Sequence, residues 1–243
     1  MGFKLWVGKT IENTVDKVVE HNYRLASFIP NGRILELDLK RAGLNPKIIF
    51  DVGANDGQTA RGYLKHFPNA TIYCFEPVNG VYETLVAQTN NVQIKCFKVG
   101  LGEVAGGAEI HKSDTYNGAG AINADNTEVL SETEIIQIAV GDVFCKEQHI
   151  SEIDLLKIDT EGYELPVLKG LASMLKKTRF IYVEAGFDPD SLRQTHISHL
   201  TTYLHANNFI VSGFYGQFRM GRNKLKLNHC DVLFTNTKLV DIL

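Results

Sequence analysis

The sequence predicts an α/β fold, a doubly wound and mostly parallel seven-stranded sheet, and two observations carry that prediction. From residue 48 onward, short apolar runs rich in Ile, Val and Phe alternate with stretches of helical periodicity, the pattern of strand–helix–strand units joined by right-handed crossovers. The first of those runs ends in Asp51-Val52-Gly53-Ala54-Asn55-Asp56-Gly57 and leads straight into a helical pattern. A doubly wound sheet binds its ligand at such a strand-to-helix turn.

The elements follow in order. Ile11, Val15, Val18, Val19 and Leu25 recur at the spacing of one helical face, with Thr10 placed to cap it, so residues 10–25 are expected to form an amphipathic helix. Leu35 and Leu39 mark a second short helix that stops at Gly43, ahead of Pro46. Residues 1–45 therefore read as a helical extension and residues 46–243 as the main domain. Within that domain, strands are expected over 48–52, 71–75 and 92–99, with helices over 59–67 and 79–88. Residues 108–113 and 135–140 can pair as extra strands around a connection at 116–126, rich in Gly, Ala and Asn, which suits a lid. The alternation resumes with a strand at 154–158, a helix over 165–177 and a strand at 180–183. Asp188-Pro189 then opens a helix expected to run to about residue 207. Runs at 209–214 and 231–235 close the domain as a hairpin.

Composition narrows the function. At 243 residues the chain can bury one full two-sided core. A net charge of −3 provides no general field for nucleic acid, so no nucleic-acid partner is expected. Cys74, Cys96, Cys145 and Cys230 are far apart, with no metal-knuckle spacing, and read as free thiols in a reducing compartment. No apolar stretch approaches the ~20 residues of a membrane span and no apolar leader opens the chain, so the expected location is the cytoplasm.

Three segments carry chemistry. In the first turn the glycine spacing is G-x-x-x-G rather than the G-x-G-x-x-G of a dinucleotide site, and Asp56 would repel a diphosphate. A cationic, phosphate-free ligand fits better. Glu76 follows Asp51 by 25 residues at the tip of the Tyr73-Cys74-Phe75 strand, where an acid accepts hydrogen bonds from a ribose diol. The third segment, Asp154-Leu155-Leu156-Lys157-Ile158-Asp159-Thr160-Glu161-Gly162-Tyr163-Glu164, brings Lys157, Asp159, Glu161 and Glu164 into one short turn.

In these three blocks, D-V-G-A-N-D-G, C-F-E-P and L-L-K-I-D-T-E-G-Y-E, the chain resembles the FkbM-type methyltransferases. The likeness runs over about residues 48–184 and is absent from the first ~45. Thr160 departs from it, standing where the family often has an aliphatic residue. The resemblance implies the Rossmann-like class I methyltransferase architecture, S-adenosylmethionine as cofactor, and methylation of a hydroxyl on a glycan, sugar nucleotide or secondary metabolite. It also implies a cofactor site made of Asp51, Gly53, Ala54, Asn55 and Gly57 on the methionine side, Glu76 and Pro77 at the ribose, Gly100 and Leu101 beside the adenine, and Asp159 near the methyl group. An alcohol must lose its proton on methylation, so Asp159 and Glu161 are the candidate bases, with Lys157 orienting them or holding the nascent alkoxide. Asp159 can instead hold the cofactor ammonium while Glu161 and Glu164 orient the turn.

Other features stay secondary. Glu184 ends the next strand on the same sheet edge and can join the site or pair with Lys157. No histidine spacing matches a metal motif, so no metal site is assigned. His196 and His199 fall three apart on an expected helix, and Arg219, Arg222, Lys224 and Lys226 crowd the final turn, either as solvated charges or as a clamp for an anionic acceptor. An N-methyltransferase, a non-catalytic cofactor-binding module and a dehydrogenase remain alternatives. The oligomeric state, a homodimer included, stays open.

Overall fold

A computed structural model describes residues 31–112, 132–191 and 193–241. The expected helix at 10–25 and the connection at 116–126 lie outside these residues. The chain divides into two compact units, Met1–Gly43 and Leu44–Leu243. The first contains α1 (Leu35–Arg41), with Leu35 and Leu39 buried.

The second unit runs β1 (Ile48–Val52), α2 (Gln58–His66), β2 (Thr71–Phe75), α3 (Asn79–Gln88), β3 (Ile94–Phe97), β4 (Gly100–Gly102), β5 (Gly106–Lys112), β6 (Glu132–Val140), α4 (Gly141–Glu147), β7 (Ile153–Ile158), α5 (Glu164–Gly170), β8 (Thr178–Gly186), α6 (Ile197–Ala206), β9 (Phe209–Met220) and β10 (Lys226–Asn236). Seven strands form one sheet in the order β3-β2-β1-β7-β8-β10-β9, parallel through β8, with β10 antiparallel to both its neighbours. This is the doubly wound sheet closed by a hairpin that the sequence predicts. Its direction of growth reverses between β1 and β7, so the ligand crevice opens beyond the carboxyl ends of those two strands. Every residue of β7 is buried, as a central parallel strand covered on both faces requires.

The extra strands form their own sheet, β4-β6-β5, with β5 and β6 antiparallel and β4 parallel to β6. The short strand β4 was not anticipated, because three residues with two glycines carry no periodicity. Helix α4 was also not anticipated. It is only seven residues long, yet it supplies Phe144, whose ring lies edge-on to Phe75 and Phe97 with both centroid distances at 4.9 Å.

Two expected helices are shorter. The 165–177 helix ends at Gly170, and a 3₁₀ turn, Met174–Lys177, follows. A Cβ on Gly170 would lie 2.0 Å from the Gly102 carbonyl oxygen, so the helix end packs backbone to backbone on β4. Asp188-Pro189 opens no helix. The Asp188 carboxylate accepts from the Asp190 N–H at 3.2 Å and from Lys226 at 2.6 Å, while the Gly186 N–H donates to the Thr195 carbonyl at 3.0 Å and keeps that segment extended. The helix begins only at Ile197, where the His196 ring accepts from the Ser198 N–H. His196 and His199 are thus a cap and a helical residue with rings 6.2 Å apart. All four cysteines are free. No helix among the described residues is long and apolar enough to cross a membrane.

The Gly170 contact generates a test. Gly170→Ala pushes a methyl group into backbone that cannot turn away, and is expected to destabilise the fold by at least about 1–3 kcal/mol in urea unfolding. Gly62→Ala, with open space at its Cβ, is expected to be neutral or slightly stabilising. Equal midpoints for both variants would show that the α5–β4 approach is not tight.

Candidate active site

The first turn is built by close approach. Gly53 has φ +76°, and a Cβ there would sit 1.8 Å from the Asp159 carbonyl oxygen, so the ends of β1 and β7 touch only because residue 53 has no side chain. The Gly53 and Ala54 N–H groups both donate to the Phe75 carbonyl, at 3.0 and 3.1 Å, which ties the turn to β2. Gly57, with φ +80°, begins α2 against Leu85 and Thr89. Asp56 serves that helix, accepting from the Gln58 N–H at 2.9 Å and lying 3.8 Å from Arg61.

Behind the turn lies a buried cation. Lys157 Nζ stands 3.0 Å from Asp51 Oδ1 and 3.6 Å from Asp159 Oδ2, and donates to the Gly53 carbonyl at 3.0 Å. Burial alone would discharge this ammonium, but the Asp51 and Asp159 carboxylates outweigh it and hold its pKa above the ordinary lysine value. Glu184 does not pair with Lys157. Its carboxylate faces His229 instead, with 3.6 Å between Oε1 and Nε2.

In front of the turn is an open cleft of about 820 Å³, a volume that includes its solvent-filled mouth. Pro77, Val81, Leu101, Ile110, Ile136 and Ile138 supply an apolar wall suited to a flat base. A Cβ on Gly100 would lie 2.8 Å from Ile138 Cδ1, so glycine there lets β4 close on β6. Glu76 is buried at the cleft edge, with Oε2 accepting from the Asn55 N–H at 3.1 Å and Oε1 from the Val78 N–H at 3.0 Å. Each oxygen keeps a second lone pair, which a vicinal diol can use. Desolvation raises the Glu76 pKa, against the pull of those two N–H groups.

The opposite wall is the turn after β7. Glu164 is fully buried and fully used: Oε1 accepts from the Thr160 and Gly162 N–H groups and the Thr160 hydroxyl at 3.0–3.1 Å, and Oε2 from the Thr195 N–H and hydroxyl at 3.1 and 2.6 Å. This carboxylate shapes the turn and forces Glu161 into a left-handed conformation, φ +51°. Desolvation, then the neighbouring Asp159 and Glu164 carboxylates, push the Glu161 pKa up to about 7. Asp159 is more open, its side chain 43% exposed.

The cleft lining brings together Gly53, Asn55, Glu76, Pro77, Gly100, Leu101, Asp159 and Glu161 of the residues singled out from sequence, whereas Asp51, Ala54, Gly57 and Lys157 stand behind it. Sequence reasoning did not assign Ile110, Ile136, Ile138 and Tyr163 to the site. The period-two spacing of Ile136, Ile138 and Val140 in an expected strand was the available signal. Among the described residues, the charged ones lining the cleft are Glu76, Asp159 and Glu161, with no lysine or arginine. Such a lining repels a pyrophosphate and attracts a cation. A diol acceptor, an apolar slot and two further carboxylates together fit an adenosine carrying a sulfonium and an ammonium.

Comparison with known proteins agrees with this chemistry. Residues 51–211 match the family described as the methyltransferase FkbM domain. The 2-O-methyltransferase NoeI of Sinorhizobium fredii is 30% identical over 152 residues, covering 56% of this chain and 62% of that protein. The match thus spans less than two thirds of that relative's length. The hexuronic acid methyltransferase AglP of Haloferax volcanii is 24% identical over 204 residues, covering 80% of this chain and 81% of that protein. Among solved structures, magnesium protoporphyrin IX methyltransferase from Synechocystis PCC 6803 covers 90% of this chain and 80% of its own at 10% identity and a TM-score of 0.49, a likeness too loose to argue from.

The buried pair can be tested directly. Lys157→Met leaves the fully buried Asp51 without its counter-ion and is expected to cost about 3–5 kcal/mol in urea unfolding, whereas Asp51→Asn combined with Lys157→Met recovers much of that loss. A neutral Lys157→Met would mean that the pair does not hold the turn.

Proposed function

The chain belongs to the FkbM methyltransferase family, and from that premise we propose that it transfers the methyl group of S-adenosylmethionine to a hydroxyl of a sugar. The observation that carries the reading is the cleft at the sheet's switch point, whose charged lining among the described residues is three carboxylates and no cation. The names of the two relatives, a 2-O-methyltransferase and a hexuronic acid methyltransferase, support a carbohydrate acceptor. Four free thiols support a reducing compartment, so the cytoplasm is the proposed location, and no nucleic-acid partner is assigned. Residues 1–45 remain in this reading an extension appended to the catalytic domain 46–243.

When bound, the cofactor supplies an electrophilic methyl group on sulfur. Glu76 holds the ribose diol, and the apolar wall around Ile136 and Ile138 holds the base. Asp159, kept in place by Lys157, offers its charge to the cofactor's ammonium. Glu161 stands on the acceptor side as the base, with a pKa near the working pH, where a general base is most effective. As the acceptor oxygen takes that methyl group, leaving the electron pair on sulfur, Glu161 would accept the hydroxyl proton at its carboxylate. Alignment and exclusion of water supply the rest of the acceleration.

Because Glu161 must be ionised to act, methyl transfer is expected to rise with pH through about 7. Glu161→Gln is expected to remove that limb and lower turnover by about 10²–10⁴-fold, with cofactor affinity retained. Asp159→Asn is expected to weaken cofactor binding and turnover together. The same raised pKa makes folded protein the better proton binder, so the Glu161 contribution to stability is present at acid pH and lost as pH rises through about 7. If Glu161→Gln keeps both its rate and its pH profile, the proton leaves by another route.

A further inference from the structure

The closing hairpin carries a feature that the reaction as described leaves unused. In the pairing of β10 with β9, His229 lies opposite Phe218 and Asp231 opposite Tyr215, so two steps along β10 correspond to three along β9. The extra residue is a β-bulge, with Gly216 in the left-handed region at φ +52°. A Cβ on Gly216 would lie 2.8 Å from Asp231 Oδ2. Side chains alternate along a regular strand, so Tyr215 and Phe218, three apart, would ordinarily face opposite sides. The bulge places both beside β10 side chains of one face.

That face carries a connected set of side chains. Tyr215 meets Tyr182 edge-on at 5.7 Å, the Tyr182 hydroxyl donates to Asp231 Oδ2 at 3.0 Å, and Phe218 stacks on His229 at 4.9 Å with rings 13° apart. His229 in turn faces Glu184, which ends β8. Glu184 Oε2 is buried with no hydrogen-bond partner among the described residues, while Phe218 is 50% exposed. β7 and β8 pair Ile158 with Val183, so Glu184 follows at the level of Asp159 on the same strand-end edge, and the Asp159 and Glu161 carboxylates add to desolvation in pushing its pKa up to about 8. A buried acceptor oxygen without a donor is costly, and an open aromatic face beside it offers the apolar half of a sugar-binding contact.

We propose that Phe218, His229 and Glu184 form the acceptor subsite and hold a pyranose ring, its C–H face on Phe218 and one hydroxyl donating to the Glu184 carboxylate, so that a neighbouring hydroxyl meets Glu161. The inference rests on the sugar O-methyltransferase reading above. It assigns the bulge at Gly216 a purpose, since a regular β9 would turn Phe218 away from Glu184.

The test is steady-state methyl transfer to the methyl glycosides of glucose, mannose, fucose and glucuronic acid, with S-adenosylhomocysteine affinity measured in parallel on the full chain. Phe218→Ala and Glu184→Gln are each expected to raise the acceptor KM by about tenfold or more, with cofactor affinity within about twofold of wild type, and Phe218→Tyr to restore the KM. If wild type methylates a glycoside and both variants keep its KM, the subsite is wrong and the sugar reading stands. Loss of cofactor affinity together with the KM would make the two residues structural and would also overturn the proposal. If wild type methylates none of the four, the sugar reading fails and this subsite fails with it.

Discussion

One buried ammonium holds the two halves of the site together. Lys157 reaches from β7 to Asp51 on β1, to the Gly53 carbonyl in the turn after β1 and to Asp159 in the turn after β7. Its position follows from the register, which pairs Asp51 with Lys157 across the central two strands of the switch point. The missing side chain at Gly53 is the other half of the constraint, because any Cβ would wedge the strand ends apart at the place where the cation ties them. A buried ion pair is seldom retained for net stability, since desolvation offsets most of the Coulomb gain. Here the pair fixes a distance between turns that arise from strands far apart in sequence.

The arrangement also sets the charge of the cleft. With Lys157 held behind the turn, the charged cleft lining among the described residues is Glu76, Asp159 and Glu161. Each then acts according to its surroundings. Glu76 is anchored by two backbone N–H groups and is suited to hold a diol, Asp159 is open and partnered, and Glu161 is desolvated among like charges and shifts to about 7. Glu164, with the same side chain three residues on, accepts five hydrogen bonds and has only a shaping role.

The parts of this site that were legible in the sequence are those made by short-range pattern. The Gly53–Gly57 turn, the acid at the tip of β2 and the acidic turn after β7 follow strands whose apolar runs are unmistakable, so their arrival at one sheet edge could be read from topology. Whether Lys157 faces the ligand or the protein interior could not, because it depends on a cross-strand partner 106 residues away. Helix α4 and strand β4 were too short for a period to emerge. The end of α5 at Gly170 is set by contact with Gly102, and the delayed start of α6 by hydrogen bonds of Asp188 and Thr195, which are tertiary effects that override local propensity. The bulge at Gly216 likewise shows only once β10 is laid beside β9.

The central claim is that an acidic, phosphate-excluding cleft at the β1–β7 switch point takes a cationic adenosine. Titration calorimetry of the protein with S-adenosylmethionine and, under the same conditions, with NAD⁺ tests it most directly. The account predicts saturable binding of one S-adenosylmethionine per chain, weakened by Glu76→Ala, and no measurable binding of NAD⁺. Binding of NAD⁺ as tightly as S-adenosylmethionine, or S-adenosylmethionine binding indifferent to Glu76, would contradict it.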